Sequence, residues 1–114
     1  MDRLFVYGTL RSEFENEYAR LLRSQGELLG VTTVAGSIYR VQHYPAWRPE
    51  PAGEVRGEVF RLNDPKATLA VLDEYEGADF ERVPIETPLG RAWIYRYSHA
   101  PSGELIASGD FCTP

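Results

Sequence analysis

The chain has 114 residues, a formal net charge of -5 and hydrophobic residues at 43%. That length suits a single domain, residues 1–114, with one core. The apolar content is too high for a disordered chain, yet no apolar run is long enough to cross a bilayer as a helix. An acidic chain has no electrostatic reason to approach phosphate backbones or anionic lipid, so neither nucleic acid nor a membrane is an expected partner.

In chain order, Leu4-Phe5-Val6-Tyr7 is a short apolar run ending at Gly8, which predicts a buried first strand that delivers a loop. No basic leader precedes it with an apolar stretch of secretory length, so the expected compartment is the cytoplasm. Phe14, Tyr18, Leu21 and Leu22 then recur on one face, predicting a helix from Glu13 to Ser24. From Leu28 to Arg40 the β-branched content rises, with Gly30 and Gly36 interrupting, as in one long bent strand or two short ones. Pro45, Pro49 and Pro51 predict a loop over His43 to Gly53.

Val55 to Leu62 reads as a strand, with Val55, Gly57 and Val59 on one face. Asn63 or Asp64 can cap the next helix, Pro65 suits its first position, Leu69, Leu72 and Tyr75 carry its spacing, and Gly77 ends it. Val83, Ile85 and Thr87 alternate with polar neighbours, and Pro88-Leu89-Gly90 turns the chain into Arg91–Tyr97 as a hairpin. Two helices among about six strands cannot build a doubly wound parallel sheet. The expected fold is α+β, with a mixed, curled or barrel-like sheet of about six strands and two main helices.

Chemistry-bearing motifs are few. Cys112 cannot close an internal disulfide, and with His43 and His99 it gives no metal-ligand spacing, so no metal is expected. There is no Gly-x-Ser-x-Gly elbow, phosphate-binding loop or dinucleotide fingerprint. A strand ending at Gly8 and turning toward a helix exposes backbone N–H groups that suit a carboxylate. Glu76, at a helix C-terminus beside apolar neighbours such as Tyr75, sits where its charged form is disfavoured. Asp73 shares its helix face, but two carboxylates on one helix cannot readily flank a glycosidic bond, so Asp73 reads as a capping or orienting residue.

Three segments carry a resemblance: Leu4-Phe5-Val6-Tyr7-Gly8-Thr9-Leu10, then Leu72-Asp73-Glu74-Tyr75-Glu76-Gly77, then Ala92-Trp93-Ile94-Tyr95. With Val55-Arg56-Gly57-Glu58-Val59-Phe60 between them and Ser108-Gly109-Asp110-Phe111 at the end, they resemble the gamma-glutamylcyclotransferase-like family. That family includes gamma-glutamylamine cyclotransferases and the plant avirulence-induced proteins.

The resemblance implies that Tyr7, Gly8, Thr9 and Leu10 grip the glutamyl moiety, that Glu76 is the catalytic acid/base, and that Tyr95 reaches the substrate. Arg82 resembles a recurrent family arginine and reads first as an ion-pair former. The implied reaction is attack of the substrate's own α-amine on its γ-carbonyl, which releases 5-oxoproline and needs no cofactor. The implied partner is thus a small-molecule gamma-glutamyl compound, its leaving group lying against segments that include Tyr44 to Trp47. Two other readings stay open: a non-catalytic module binding a small carboxylate, and removal of a gamma-glutamyl protecting group from a natural-product intermediate. Where many family members follow Leu10 with a basic residue and glycine, this chain has Arg11-Ser12-Glu13, which predicts a stiffer or differently lined loop.

Overall fold

The computed structural model describes residues 1–114. In chain order the elements are β1 (Arg3–Val6), α1 (Glu17–Gln25), β2 (Gly26–Ala35), β3 (Ser37–Val41), β4 (Tyr44–Arg48), β5 (Glu54–Leu62), α2 (Pro65–Glu76), β6 (Phe80–Thr87), β7 (Gly90–Tyr97) and β8 (Glu104–Leu105). The fold is α+β, with one curled mixed sheet in the order β2-β5-β1-β7-β4-β3-β8 and β6 branching from β7. No helix is long and apolar enough to cross a membrane.

The apolar run of β1 is explained by burial on both faces. Phe5 and Tyr7 join Val34, Ile38, Trp47, Val55, Val59 and Ile94 on one side of the sheet. Leu4 and Val6 join Leu22, Phe60, Leu69, Leu72 and Tyr95 on the other, under the two helices. β5 is likewise buried on both faces. Its Gly57 is forced by crowding, since a Cβ there would lie 2.3 Å from the Val6 carbonyl oxygen and 2.6 Å from the Phe5 ring.

Both helices form where expected, with one shifted start. α1 begins at Glu17 because the Asn16 side chain caps it, accepting from the Ala19 N–H at 2.8 Å. Phe14 therefore lies outside the helix and stacks on Phe111, with ring centroids 6.1 Å apart. In α2, Asp64 caps, Pro65 opens, and Gly77 ends the helix at φ 78°, its N–H donating to the Asp73 carbonyl.

The largest departure from expectation is the proline-rich segment. Tyr44–Arg48 is a strand, paired with β3 across the two-residue turn Gln42-His43. The turn went unread because Gln42, not glycine or asparagine, takes the positive φ of 56°. Pro45 is tolerated because alternation in an antiparallel ladder points its missing N–H away from β3. β4 and the short β8 raise the strand count to eight. The Leu28–Arg40 region divides at Gly36 into β2 and β3.

One edge of β7 is shared by two partners. β1 pairs with it in parallel at Leu4 and Trp93, whereas β4 pairs with it in parallel at Trp47 and Arg96. Between these points β1 peels away and the edge of β7 is bare of strand. The buried Tyr7 hydroxyl fills that gap, donating to the Tyr95 carbonyl at 2.7 Å and accepting from the Trp47 N–H at 3.1 Å. The sheet thus parts at a defined place, and the residues after Tyr7 are delivered into the opening.

Candidate active site

A small cleft occupies this opening, lined by Phe5 to Leu10, Tyr44, Pro45, Glu76 and Tyr95. Every residue expected to handle substrate therefore borders one cavity: Tyr7, Gly8, Thr9, Leu10, Tyr95 and Glu76. Tyr44 and Pro45 join them from β4, on a segment expected to be loop. Gly8 is shaped by that neighbour, since a Cβ on it would come within 2.7 Å of the Pro45 ring.

The Gly8–Leu10 turn is tied down at its outer side. The Arg11 N–H donates to the Gly8 carbonyl at 3.0 Å, and Asn16 Nδ2 donates to the Thr9 carbonyl at 2.7 Å. Thr9 Oγ1 pairs with the Tyr75 hydroxyl at 3.0 Å, and the Tyr75 ring stacks on Tyr18 with centroids 4.1 Å apart. Asn16 thus serves two ends, capping α1 through Oδ1 and holding the loop through Nδ2; nothing in its spacing marked it beforehand. The N–H groups of Gly8, Thr9 and Leu10 donate to no protein acceptor. Free N–H groups on consecutive residues are the kind of donor set that can bind an anionic oxygen.

Glu76 closes the opposite wall from the last turn of α2. It is half-buried and accepts no hydrogen bond from the protein, and its carboxyl is pushed up to about 7. Loss of solvent is the larger cause and the negative Asp73 one turn back the second, so burial does the work that the sequence assigned to the helix end and to Tyr75. A carboxyl titrating there can both take and return a proton near neutral pH.

Asp73 differs from Glu76 in every respect. Arg82 grips it with Nε and Nη2 at 2.8 and 3.1 Å, and the Tyr95 hydroxyl donates to it at 2.7 Å. Although desolvation acts to raise its carboxyl, these hydrogen bonds and the Arg82 charge hold it below its ordinary value. Arg82 itself lies over the Trp93 ring, 4.3 Å from the centroid. The orienting role expected of Asp73 and the ion pair expected of Arg82 are thus one cluster, which fixes the Tyr95 phenol against the cleft. Burial first, then the bond to Asp73, drives the Tyr95 hydroxyl far above its usual range, so it acts as a neutral donor. The Tyr7 hydroxyl, raised first by burial and then by Glu76, is engaged by Tyr95 and Trp47, leaving its ring to line the cleft.

These features define a class: a small α+β protein whose split sheet holds an amide-lined anion site opposite one unpaired carboxyl. Residues 4–113 match the sequence model of the family described as gamma-glutamyl cyclotransferase, AIG2-like. The chain is 39% identical over 113 residues to the gamma-glutamylcyclotransferase family protein YtfP of Escherichia coli K12, covering 96% of this chain and 95% of that protein. The solution structure of E. coli ytfP superposes with a TM-score of 0.74 at 38% identity, over 95% of this chain and 94% of that one. The crystal structure of PH0828 from Pyrococcus horikoshii gives a TM-score of 0.83 at 26% identity, over 99% and 92%. The chain belongs to the gamma-glutamylcyclotransferase family.

Proposed function

We propose that this protein is a gamma-glutamyl cyclotransferase that releases 5-oxoproline, with Glu76 as its acid/base. The observation that carries the reading is that one half-buried carboxyl and three amides, all without protein partners, belong to residues bordering a single cleft. The amides of Gly8, Thr9 and Leu10 hold the glutamyl α-carboxylate. The chain then folds back so that its α-nitrogen approaches the γ-carbonyl carbon.

The new bond joins that nitrogen to the γ-carbon and closes a five-membered ring, and the bond from the γ-carbon to the departing nitrogen breaks. Glu76 takes a proton from the α-nitrogen and returns it to the departing nitrogen, so protons balance without water or cofactor. Because nucleophile and electrophile share one molecule, positioning supplies much of the acceleration, and proton transfer adds roughly 10²–10⁴-fold. Tyr95, whose hydroxyl proton is committed to Asp73, offers the cleft its ring and a hydroxyl oxygen that can accept from the substrate.

The test is mass-spectrometric detection of 5-oxoproline from a mixed gamma-glutamyl library incubated with the protein and with Glu76→Gln. The wild type is expected to release it and the variant to lose that activity. Equal release by both contradicts the assignment of Glu76.

A further inference from the structure

Beside Glu76 lies a second, outer chamber of about 340 Å³, lined by Thr9, His43, Tyr44, Tyr75, Glu76 and Phe80. Thr9, Tyr44 and Glu76 border both recesses, so the two adjoin along a shared wall that includes the carboxyl-bearing side chain. If the glutamyl end occupies the inner chamber and the scissile bond lies at Glu76, whatever is attached to the γ-carbonyl points into the outer one.

Its walls are aromatic, and each ring is set by a neighbour. Tyr44 from β4 meets Phe80 from β6 with centroids 5.7 Å apart at 60°. Phe80 is backed edge-on by Tyr97 at 5.5 Å. Tyr75 on α2 is stacked on Tyr18. These rings present faces and edges in the offset and tilted arrangements that another ring extends.

The charges point one way as well. Neither chamber is lined by lysine or arginine. Glu76 stands at the junction, and Asp79 lies close enough that, after burial and Tyr97, it and Glu76 help raise the Tyr44 hydroxyl. His99 sits 2.8 Å from Asp79, outside the lining, and the exposed His43 is the single basic side chain among the lining residues. A carboxylate on the leaving group would thus face an acidic junction without a fixed cation.

Building on the proposed function, we infer that the outer chamber is the leaving-group subsite and selects gamma-glutamyl amides whose amine carries an aromatic ring and no carboxylate.

Four substrates separate the two preferences: gamma-glutamyl-phenethylamide, gamma-glutamyl-phenylalanine, gamma-glutamyl-butylamide and gamma-glutamyl-alanine. For the wild type, kcat/KM for 5-oxoproline release is expected to be roughly three- to tenfold higher for the phenethylamide than for the butylamide. It is expected to fall roughly tenfold when the carboxylate is added, from phenethylamide to phenylalanine. Phe80→Leu should bring the first ratio close to one, and His43→Gln should leave the second unchanged.

Equal turnover of all four keeps the reaction and overturns the chamber. So does a preference for the carboxylate compounds that vanishes in His43→Gln, because His43 would then be a carboxylate partner. Calorimetry on Glu76→Gln separates this inference from the reaction. With no 5-oxoproline from any compound, tighter binding of the phenethylamide than of the butylamide still supports the subsite, and equal or absent binding overturns it.

Discussion

The loop from Tyr7 to Glu13 has two sides that differ in one respect. On its rear side every charge is engaged. The Arg11 side chain is only 5% exposed, donates through Nε and Nη2 to both Glu13 oxygens and through Nη1 to Asp110 at 2.8 Å. The buried Glu58 accepts from the Ser12 N–H and hydroxyl at 2.6 and 2.5 Å. On the cleft side three amides and one carboxyl are left without protein partners. The rear network is a brace, since each buried polar group would cost stability if unpaired. The cleft side keeps its groups free for a ligand, and the side chains of Arg11, Ser12 and Glu13 bond within the brace.

The largest expected effect of breaking this contrast lies on the cleft side. Glu76→Gln keeps the shape and removes the proton carrier, so kcat should fall on the order of 10²–10⁴-fold with the circular dichroism spectrum unchanged. On the rear side, Arg11→Met removes the buried cation shared by Glu13 and Asp110, leaving Asp110 only the more exposed Arg56 at 3.8 Å. Because Glu13 is half exposed and Asp110 keeps Arg56, urea denaturation should show a loss of about 1–3 kcal/mol, with the pH profile of any surviving activity unmoved.

Tyr7→Phe probes the seam between the two sides. It strips the Tyr95 carbonyl and the Trp47 N–H of their partner and should cost about 1–3 kcal/mol by the same measurement. The smallest effect is pH-dependent. Below about 4.5 Glu76 is protonated folded or unfolded, and between there and about 7 only the folded state holds the proton, so stability falls as pH rises through that window. The decline should reach no more than about 3 kcal/mol and be missing in Glu76→Gln.

Much of this was legible beforehand, for local reasons. Asp64, Pro65 and Gly77 mark the ends of α2 through short-range capping chemistry, and Leu4 to Tyr7 betray a doubly buried strand by composition alone. Glu76 and the Tyr7–Leu10 loop came from resemblance together with local features, and the fold brings them to one cavity. What stayed hidden depends on partners distant in sequence. Tyr44–Arg48 becomes a strand because β3 and β7 flank it, which no reading of three prolines reveals. Asn16 acts through Thr9, seven residues earlier, and the Asp73–Arg82–Tyr95 cluster joins a helix to two strands. The raised Glu76 carboxyl was expected from the helix end and apolar neighbours, and loss of solvent is its leading cause, whereas the contribution of Asp73 was not foreseen.

The free carboxyl opposite the free amides is the centre of the account, and its titration tests it most directly. Following the side-chain carboxyl carbon of Glu76 by 13C NMR from pH 4 to 9, with Glu76→Gln to assign the signal, should give a midpoint near 7. A midpoint near the ordinary 4.5 would mean a solvated or paired side chain, and would contradict Glu76 as the group that moves the proton.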